Sequence, residues 1–105
     1  MRWRRVAVRG ESMSPTLAEG DVVLVRFGAE PAPGDVVLVR WVARSGQLSV
    51  KRVVRSQDAG WWVLGDNPDG STDSRQLGPA EVPAVVRWRL WPRPGRLDRL
   101  GPEPA

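Results

Sequence analysis

The 105-residue chain contains no histidine, no cysteine and no tyrosine. Without histidine it has neither a Ser–His–Asp triad nor an imidazole metal ligand. Without cysteine it has no thiol nucleophile, disulfide or thiolate zinc site. Carboxylates, lysine and the amino terminus are therefore the groups left to transfer protons near neutral pH. We expect no metal and no cofactor.

The chain also lacks a long apolar segment. No apolar run approaches the roughly 20 residues that a membrane-spanning helix needs, and the arginines near the amino terminus precede no apolar segment of a signal peptide. The hydrophobic fraction of 41% and the charged fraction of 27% are typical of a soluble globular domain. We expect a cytoplasmic protein with no integral membrane segment. Its tryptophans and basic ends are compatible with peripheral binding to a membrane surface.

Lysine occurs once, as Lys51, among 16 basic residues. Arginine serves wherever a permanent positive charge is needed, because its guanidinium does not lose a proton in proteins. An amine becomes neutral when burial lowers its pKa. A single lysine is therefore a candidate general base, and the alternative is codon bias with one stray lysine.

Short β-branched runs separated by turn residues predict an all-β fold, a small coiled sheet or a partly open barrel. We expect one domain over residues 1–91 and a loose tail rich in proline, glycine and arginine over residues 92–105. A short helical turn is predicted at Pro79-Ala80-Glu81. The predicted strands lie at residues 2–9, 22–26, 36–40, 48–55, 61–64 and 82–91.

One segment is repeated: residues 20–26 and residues 34–40 both read Gly-Asp-Val-Val-Leu-Val-Arg. Each copy predicts a turn followed by a strand. A single duplication is too short for a solenoid, and we expect the two strands to form an antiparallel pair.

Three segments carry candidate chemistry. Ser12 lies in a Gly-Glu-Ser-Met-Ser-Pro turn, where its hydroxyl would be exposed beside free backbone N–H groups; the alternative is an ordinary turn serine. Lys51 lies among valines on a strand; the alternative is an exposed lysine at a strand edge. The polar loop Gly65–Arg75 is either a turn or a calcium site, but it lacks the spacing and the closing glutamate of an EF-hand.

Together these segments resemble the catalytic core of the type I signal peptidases, which are serine–lysine proteases. The resemblance rests on Ser12-Met13-Ser14-Pro15-Thr16-Leu17, then Lys51-Arg52, then the Gly65–Arg75 loop, in that order. It implies an all-β serine endopeptidase with a Ser–Lys dyad.

The resemblance also implies a role for each matching residue. Ser12 would be the nucleophile, Lys51 the general base and Ser71 the hydroxyl that orients the lysine amine. Asp73 would pair with Arg75 and Arg52 and hold the loop against the lysine strand. We expect Val8, Val53 and a tryptophan to supply an apolar wall beside the amine. The oxyanion would meet backbone N–H groups of Gly10, Ser12 and Met13, because glycine stands where the family often has a serine.

Two further departures restrict the resemblance to a smaller group of the family: we expect no membrane anchor, and no second β-domain separates the lysine from the loop. A chain of this kind is most similar to the nickel-type superoxide dismutase maturation proteases. That similarity implies a leader-bearing protein substrate, the nickel superoxide dismutase precursor, and no nucleic acid partner.

Three alternatives remain open from the residues alone. The chain is a general signal peptidase that cleaves secretory precursors at the membrane, or a self-cleaving repressor protease. We expect the repressor least, because only eleven residues precede Ser12. From a different class, it is a non-enzymatic basic β-barrel that binds nucleic acid through arginines and tryptophans.

Overall fold

A computed structural model describes residues 2–44, 46–97 and 99, and in this part the chain is almost entirely antiparallel β-sheet. The strands are β1 (Arg2–Ala7), β2 (Val22–Phe27), β3 (Val36–Arg40), β4 (Ser49–Gln57), β5 (Gly60–Leu64), β6 (Glu81–Trp91) and β7 (Gly95–Arg96). They form one seven-stranded sheet in the order β1-β2-β6-β3-β4-β5, and β7 pairs with β6. The sheet is not closed, and the predicted all-β class is confirmed.

The core consists of two apolar clusters, and β3 contributes to both. Val36 and Leu38 belong to the first cluster, whereas Val37 and Val39 belong to the second. Successive strand residues point to opposite faces, so a strand buried on both faces reads as a continuous apolar run. This explains the unbroken Val-Val-Leu-Val of the second copy and places the neighbouring strand β4 next to the core.

The two copies of the repeated segment begin with the same turn. The Asp21 carboxylate accepts a hydrogen bond from the Ala18 N–H at 3.0 Å, and the Asp35 carboxylate accepts one from the Ala32 N–H at 2.9 Å. The glycine before each aspartate has a φ near +90°. Glycine adopts this conformation without steric strain, so the Gly-Asp pair is the local signal for the turn.

The two copies do not pair with each other, so the predicted antiparallel pair is wrong. β6 lies between them and pairs antiparallel with both β2 and β3, which makes β2 and β3 parallel. A hairpin needs a connection of a few residues. Here residues 28–35 carry the chain past the end of β6, where the Gly28 N–H donates to the Pro83 carbonyl at 3.3 Å.

In residues 2–44, 46–97 and 99, helix is confined to short segments: Val42–Arg44 and Pro68–Gly70 are 3-10 turns and α1 is Ser74–Leu77. The helical turn predicted at residues 79–81 is wrong, because Glu81 already begins β6. α1 forms instead, because the Asp73 carboxylate caps its amino terminus and the Gln76 side chain completes a capping box. Within the described residues, no helix is long and apolar enough to cross a membrane.

The segment predicted as a loose tail contributes one short strand. β7 pairs with Trp88 and Arg89 of β6, and Leu97 packs against the first core cluster. The remainder of that prediction falls on residues 98 and 100–105, which lie outside the described part of the chain.

Candidate active site

Ser12 lies in the turn that follows β1. The chain enters this turn through Gly10, whose φ of +75° is strained for residues with a side chain. Met13 and Leu17 are 1% and 0% exposed and anchor the turn in the first core cluster. Burying two such side chains stabilises the turn by about 1.5–3 kcal/mol each. The Ser12 hydroxyl is therefore held beside the core, half-buried.

Lys51 reaches the same place from β4. Its backbone pairs with Val37 of β3, and its side chain is largely buried, since the residue is only 4% exposed. Lys51 Nζ donates a hydrogen bond to Ser12 Oγ at 3.0 Å. The fold thus brings together two candidate residues that stand 39 positions apart in the sequence.

Burial lowers the pKa of the Lys51 amine below its ordinary value of 10.5. The Asp73 carboxylate opposes this shift and the Arg44 guanidinium adds to it, but desolvation is the largest cause. A neutral amine at hydrogen-bonding distance from a hydroxyl is able to accept its proton. The arrangement therefore suits activation of Ser12 without histidine.

A cavity of about 330 Å³ opens beside the serine and the lysine. Its walls are residues 6–9 at the end of β1 and residues 47–51 at the start of β4, with Ser12 and Leu38 between them. Val8 lines this cavity as predicted. Val53 is not among the lining residues and packs in the second core cluster, and no tryptophan appears among the lining residues described.

Backbone N–H groups around the turn differ in their availability. The Gly10 N–H donates to the Glu19 carboxylate at 3.2 Å. In the described part of the chain, the N–H groups of Ser12 and Met13 take part in no hydrogen bond. Of the three predicted oxyanion positions, Ser12 and Met13 therefore have free donors, and Gly10 has an internal acceptor.

The loop after β5 packs directly on the Ser12 turn. The Asn67 N–H donates to the Ser12 carbonyl at 2.9 Å, and the Asn67 side chain donates to the Glu11 carbonyl at 3.1 Å. A Cβ on Gly65 would overlap both the Ser12 carbonyl oxygen and the Ser71 hydroxyl. Only glycine at position 65 allows the loop to lie this close.

Asp66 connects the turn of the serine to the strand of the lysine. Its carboxylate accepts from the Thr16 hydroxyl at 2.5 Å and from Arg52 Nη2 at 2.6 Å and Nε at 3.1 Å. The predicted pair between Arg52 and Asp73 is wrong. The Arg52 side chain binds Asp66 instead, and its Nη1 donates to the Gly34 carbonyl at 3.0 Å.

Asp73 organises the loop from within, with the residue 0% exposed. It accepts from the Arg75 guanidinium at 2.9 Å, the Ser71 hydroxyl at 2.8 Å and the Gly65 N–H at 3.0 Å. Burial alone raises the pKa of Asp73, but these hydrogen bonds outweigh it and hold the pKa below its ordinary value. The predicted pair of Asp73 with Arg75 is present.

Ser71 lies beside the site but does not hydrogen-bond the amine. Its hydroxyl donates to Asp73, and among the described residues it makes no hydrogen bond with Lys51. The charge of Asp73 nevertheless acts on Lys51, since it raises the pKa of the amine. Ser71 is therefore linked to Lys51 indirectly: its hydroxyl hydrogen-bonds Asp73, and the charge of Asp73 acts on the amine.

Sequence reasoning missed Asp66, Asn67 and Thr16 as residues of the site. All three lie in segments that carry the family resemblance: Thr16 follows Ser12 in the first motif, and Asp66 and Asn67 open the polar loop. Their individual contacts depend on how the loop folds back over the Ser12 turn. Spacing along the chain does not give that path.

Metal binding has no support in the described residues, where no group of three or more carboxylates comes together. Asp66 and Asp73 are each paired with an arginine instead. The loop that the sequence left open as a calcium site is therefore a set of ion pairs and hydrogen bonds.

Comparison with known proteins bears on this geometry. A family model described as Peptidase S24-like matches residues 5–84, a span that contains Ser12, Lys51 and the Gly65–Arg75 loop. No curated protein matches the chain. The matched span is most of the chain, and its all-β fold agrees with the family. The chain therefore belongs to the Peptidase S24-like family, and the activity that this family supports is that of a serine-type peptidase.

Proposed function

We propose that the chain is an endopeptidase in which Ser12 is the nucleophile and Lys51 the general base. We further propose that it removes an N-terminal leader from the nickel superoxide dismutase precursor. The observation that carries the dyad is the 3.0 Å contact between a buried amine and a serine hydroxyl at the wall of a cavity. The family match supports the peptidase class.

In the first half of the reaction, Ser12 Oγ attacks the scissile carbonyl carbon while its proton passes to the neutral Lys51 Nζ. The carbonyl oxygen becomes an oxyanion, and the free N–H groups of Ser12 and Met13 are the donors near it. Lys51 then gives its proton to the leaving amine. The peptide C–N bond breaks, and an ester to Ser12 remains.

In the second half, water attacks the ester carbonyl and Lys51 accepts the proton of the water. A second tetrahedral intermediate forms, and its collapse breaks the bond to Ser12 Oγ, which takes a proton back from Lys51. The leader leaves with a free carboxylate. Lys51 is neutral again, so the cycle closes with Lys51 as its single base.

The loop acts on this chemistry by position. Asp66 holds the Thr16 end of the serine turn against Arg52 of the lysine strand. Asn67 binds the carbonyl of Ser12 itself. Since small displacements of reacting groups cost much of the rate, these contacts are expected to matter for kcat more than for substrate binding.

The substrate proposal rests on the short connection between the two halves of the site. β4 and β5 form a hairpin that leads from Lys51 to Gly65 without an inserted domain. This compact arrangement is what the sequence resemblance to the nickel superoxide dismutase maturation proteases implies. The cavity between residues 6–9 and 47–51 is open to an extended chain segment.

The test is incubation of the purified chain with the leader-bearing precursor, followed by sequencing of the product's new amino terminus. We expect one cut that releases the leader, and no cut with Ser12→Ala or Lys51→Met. An uncut precursor contradicts the substrate assignment. Cleavage by Ser12→Ala at the wild-type rate contradicts the dyad.

A further inference from the structure

β1 is the terminal strand of the sheet, and one of its edges pairs with no strand in the part of the chain that the structure describes. The order of the strands begins with β1, and β2 is its partner over all of Arg2–Ala7. The other edge presents backbone N–H and carbonyl groups to solvent. Such an edge is a template for an added strand from another chain.

The side chains on this strand carry one sign of charge. Arg2, Arg4 and Arg5 are exposed, and none of them has an ion pair in the part of the chain that the structure describes. Arg2 stacks on the ring of Phe27 at 4.6 Å. The residues across on β2 are apolar as well: Val25 faces Arg4 and Leu24 faces Arg5.

The arginine edge runs into the cavity of the candidate active site. β1 carries the arginines at its start, and residues 6–9 then line the cavity together with Ser12. Arg9, another exposed arginine, lies on that wall. At about 3.3 Å per residue, Arg4 lies about 17 Å from Arg9 along an extended chain. A peptide bound at Ser12 and along β1 reaches Arg4 about five residues from the scissile bond.

We propose that the free edge of β1 is a docking site for an acidic, extended segment of the substrate. The segment adds a strand to β1, and its carboxylates pair with Arg2 and Arg4 on one face and with Arg5 on the other, about four to seven residues from the bond that is cut. Arginine suits this task, because its guanidinium binds carboxylates with two hydrogen bonds. This inference rests on the proposed function, since it extends the same substrate.

Charge decides between the possible occupants of this edge. A second copy of the chain would place the arginines of two β1 strands side by side, and like charges across a strand pair are destabilising. An acidic segment has the complementary sign. A neutral segment would gain the backbone hydrogen bonds but none of the ion pairs.

Binding is tested with the full chain carrying Ser12→Ala, so that nothing is cleaved. The probes are fluorescent ten-residue peptides in which pairs of threonines alternate with pairs of glutamates, glutamines or lysines, so that the variable residues lie on both faces of the added strand. We expect the glutamate peptide to bind about tenfold more tightly than the glutamine peptide. Raising the salt from about 50 to about 500 mM should remove most of that difference.

Matched variants locate the effect. Arg2→Gln, Arg4→Gln and Arg5→Gln together should abolish the preference for glutamate, and lysine at the same three positions should restore most of it. Arg55→Gln with Arg93→Gln removes two exposed arginines outside β1 and the cavity and should leave the preference intact. In cleavage of the precursor, the β1 glutamine variant should raise KM rather than lower kcat.

Equal binding of the glutamate and glutamine peptides would overturn the proposal. The proposal is also overturned if the β1 glutamine variant binds the peptides as the Ser12→Ala chain does and loses binding only to vesicles of equal phosphatidylglycerol and phosphatidylcholine, or only to oligothymidine. Those outcomes assign the edge to lipid or to nucleic acid. The peptide assay needs no cleavage, so its failure is separable from failure of Ser12 as the nucleophile.

Discussion

The two copies of Gly-Asp-Val-Val-Leu-Val-Arg share a sequence and a backbone frame but have different neighbours. Beside the first copy, residues 20–26, Val8 exchanges two hydrogen bonds with the Gly-Asp turn at 2.8 and 2.9 Å. Beside the second copy, residues 34–40, Val53 makes the same pair of bonds at the same two distances. Val8 and Val53 therefore occupy equivalent places next to equivalent turns.

The segments that flank these two valines differ. After Val8 the chain enters the turn at Gly10 that carries Ser12, whereas Lys51 lies two residues before Val53 within strand β4. The repeated segment thus forms two similar turn-and-strand units, and the segments that flank these units carry the candidate catalytic side chains. Each half of the candidate site stands beside one copy, and the proposed dyad needs both halves.

The largest expected effect comes from replacing the candidate catalytic side chain beside either copy. Ser12→Ala and Lys51→Met should each lower kcat/KM by at least about 10³-fold, and the double variant should lose little more, because the two groups act as one unit. Cleavage of the precursor measures this. Multiplicative losses in the double variant would indicate that the two residues act separately.

The connection between the halves is the next target. Asp66→Ala removes the carboxylate that binds both Thr16 and Arg52, and we expect kcat to fall by about 10–100-fold while KM changes less. Asp69→Ala removes an exposed acid from the same loop and serves as the control. Equal effects of the two substitutions would assign the loss to loop charge rather than to the bridge.

A matched pair of substitutions compares the two turns themselves. The Asp35 side chain is 2% exposed and contacts Arg99 at 2.8 Å and Arg87 at 3.9 Å, whereas Asp21 is 11% exposed and has Arg89 at 3.9 Å. Asparagine keeps the turn acceptor and removes the charge. In urea unfolding, Asp35→Asn should cost about 1–2 kcal/mol and Asp21→Asn at most about 0.5 kcal/mol. The reverse order would contradict this interpretation of the copies.

The smallest expected effect concerns the charge near the amine. Arg44 lowers the pKa of Lys51, so Arg44→Gln should raise that pKa. Lys51 must be neutral to act as a base, and the rising limb of the pH–rate profile should therefore move to higher pH, with a modest loss of activity at neutral pH. Arg40→Gln, which removes an exposed arginine paired with Glu81, should leave the profile in place.

Local signals predicted most of the strands and the two central residues. β-branched runs and Gly-Asp turns report backbone preference directly, and a lysine that occurs once stands out in a chain of arginines. Lys51 was found in this way and Ser12 by its turn and by the family resemblance, and the structure places the two residues in contact. One local signal was missed: Asp73, three residues before Gln76, caps α1.

The other features that sequence reasoning missed depend on pairing between distant segments. β6 lies between the two copies and pairs with both of them, and no local sequence pattern indicates this pairing. Arg52 pairs with Asp66 rather than Asp73 for a similar reason. Both acids lie in the same loop, and the fold of that loop over the serine turn decides which one meets the strand.

The central claim is that Lys51 is a buried amine that loses its proton more easily than an ordinary lysine. Because the chain has one lysine, labelling with [¹³Cε]lysine gives a single side-chain NMR resonance, which can be followed during a pH titration. We expect a midpoint below the ordinary value of 10.5 in the folded wild-type protein, because burial disfavours the charged amine. A midpoint at or above that value would contradict it.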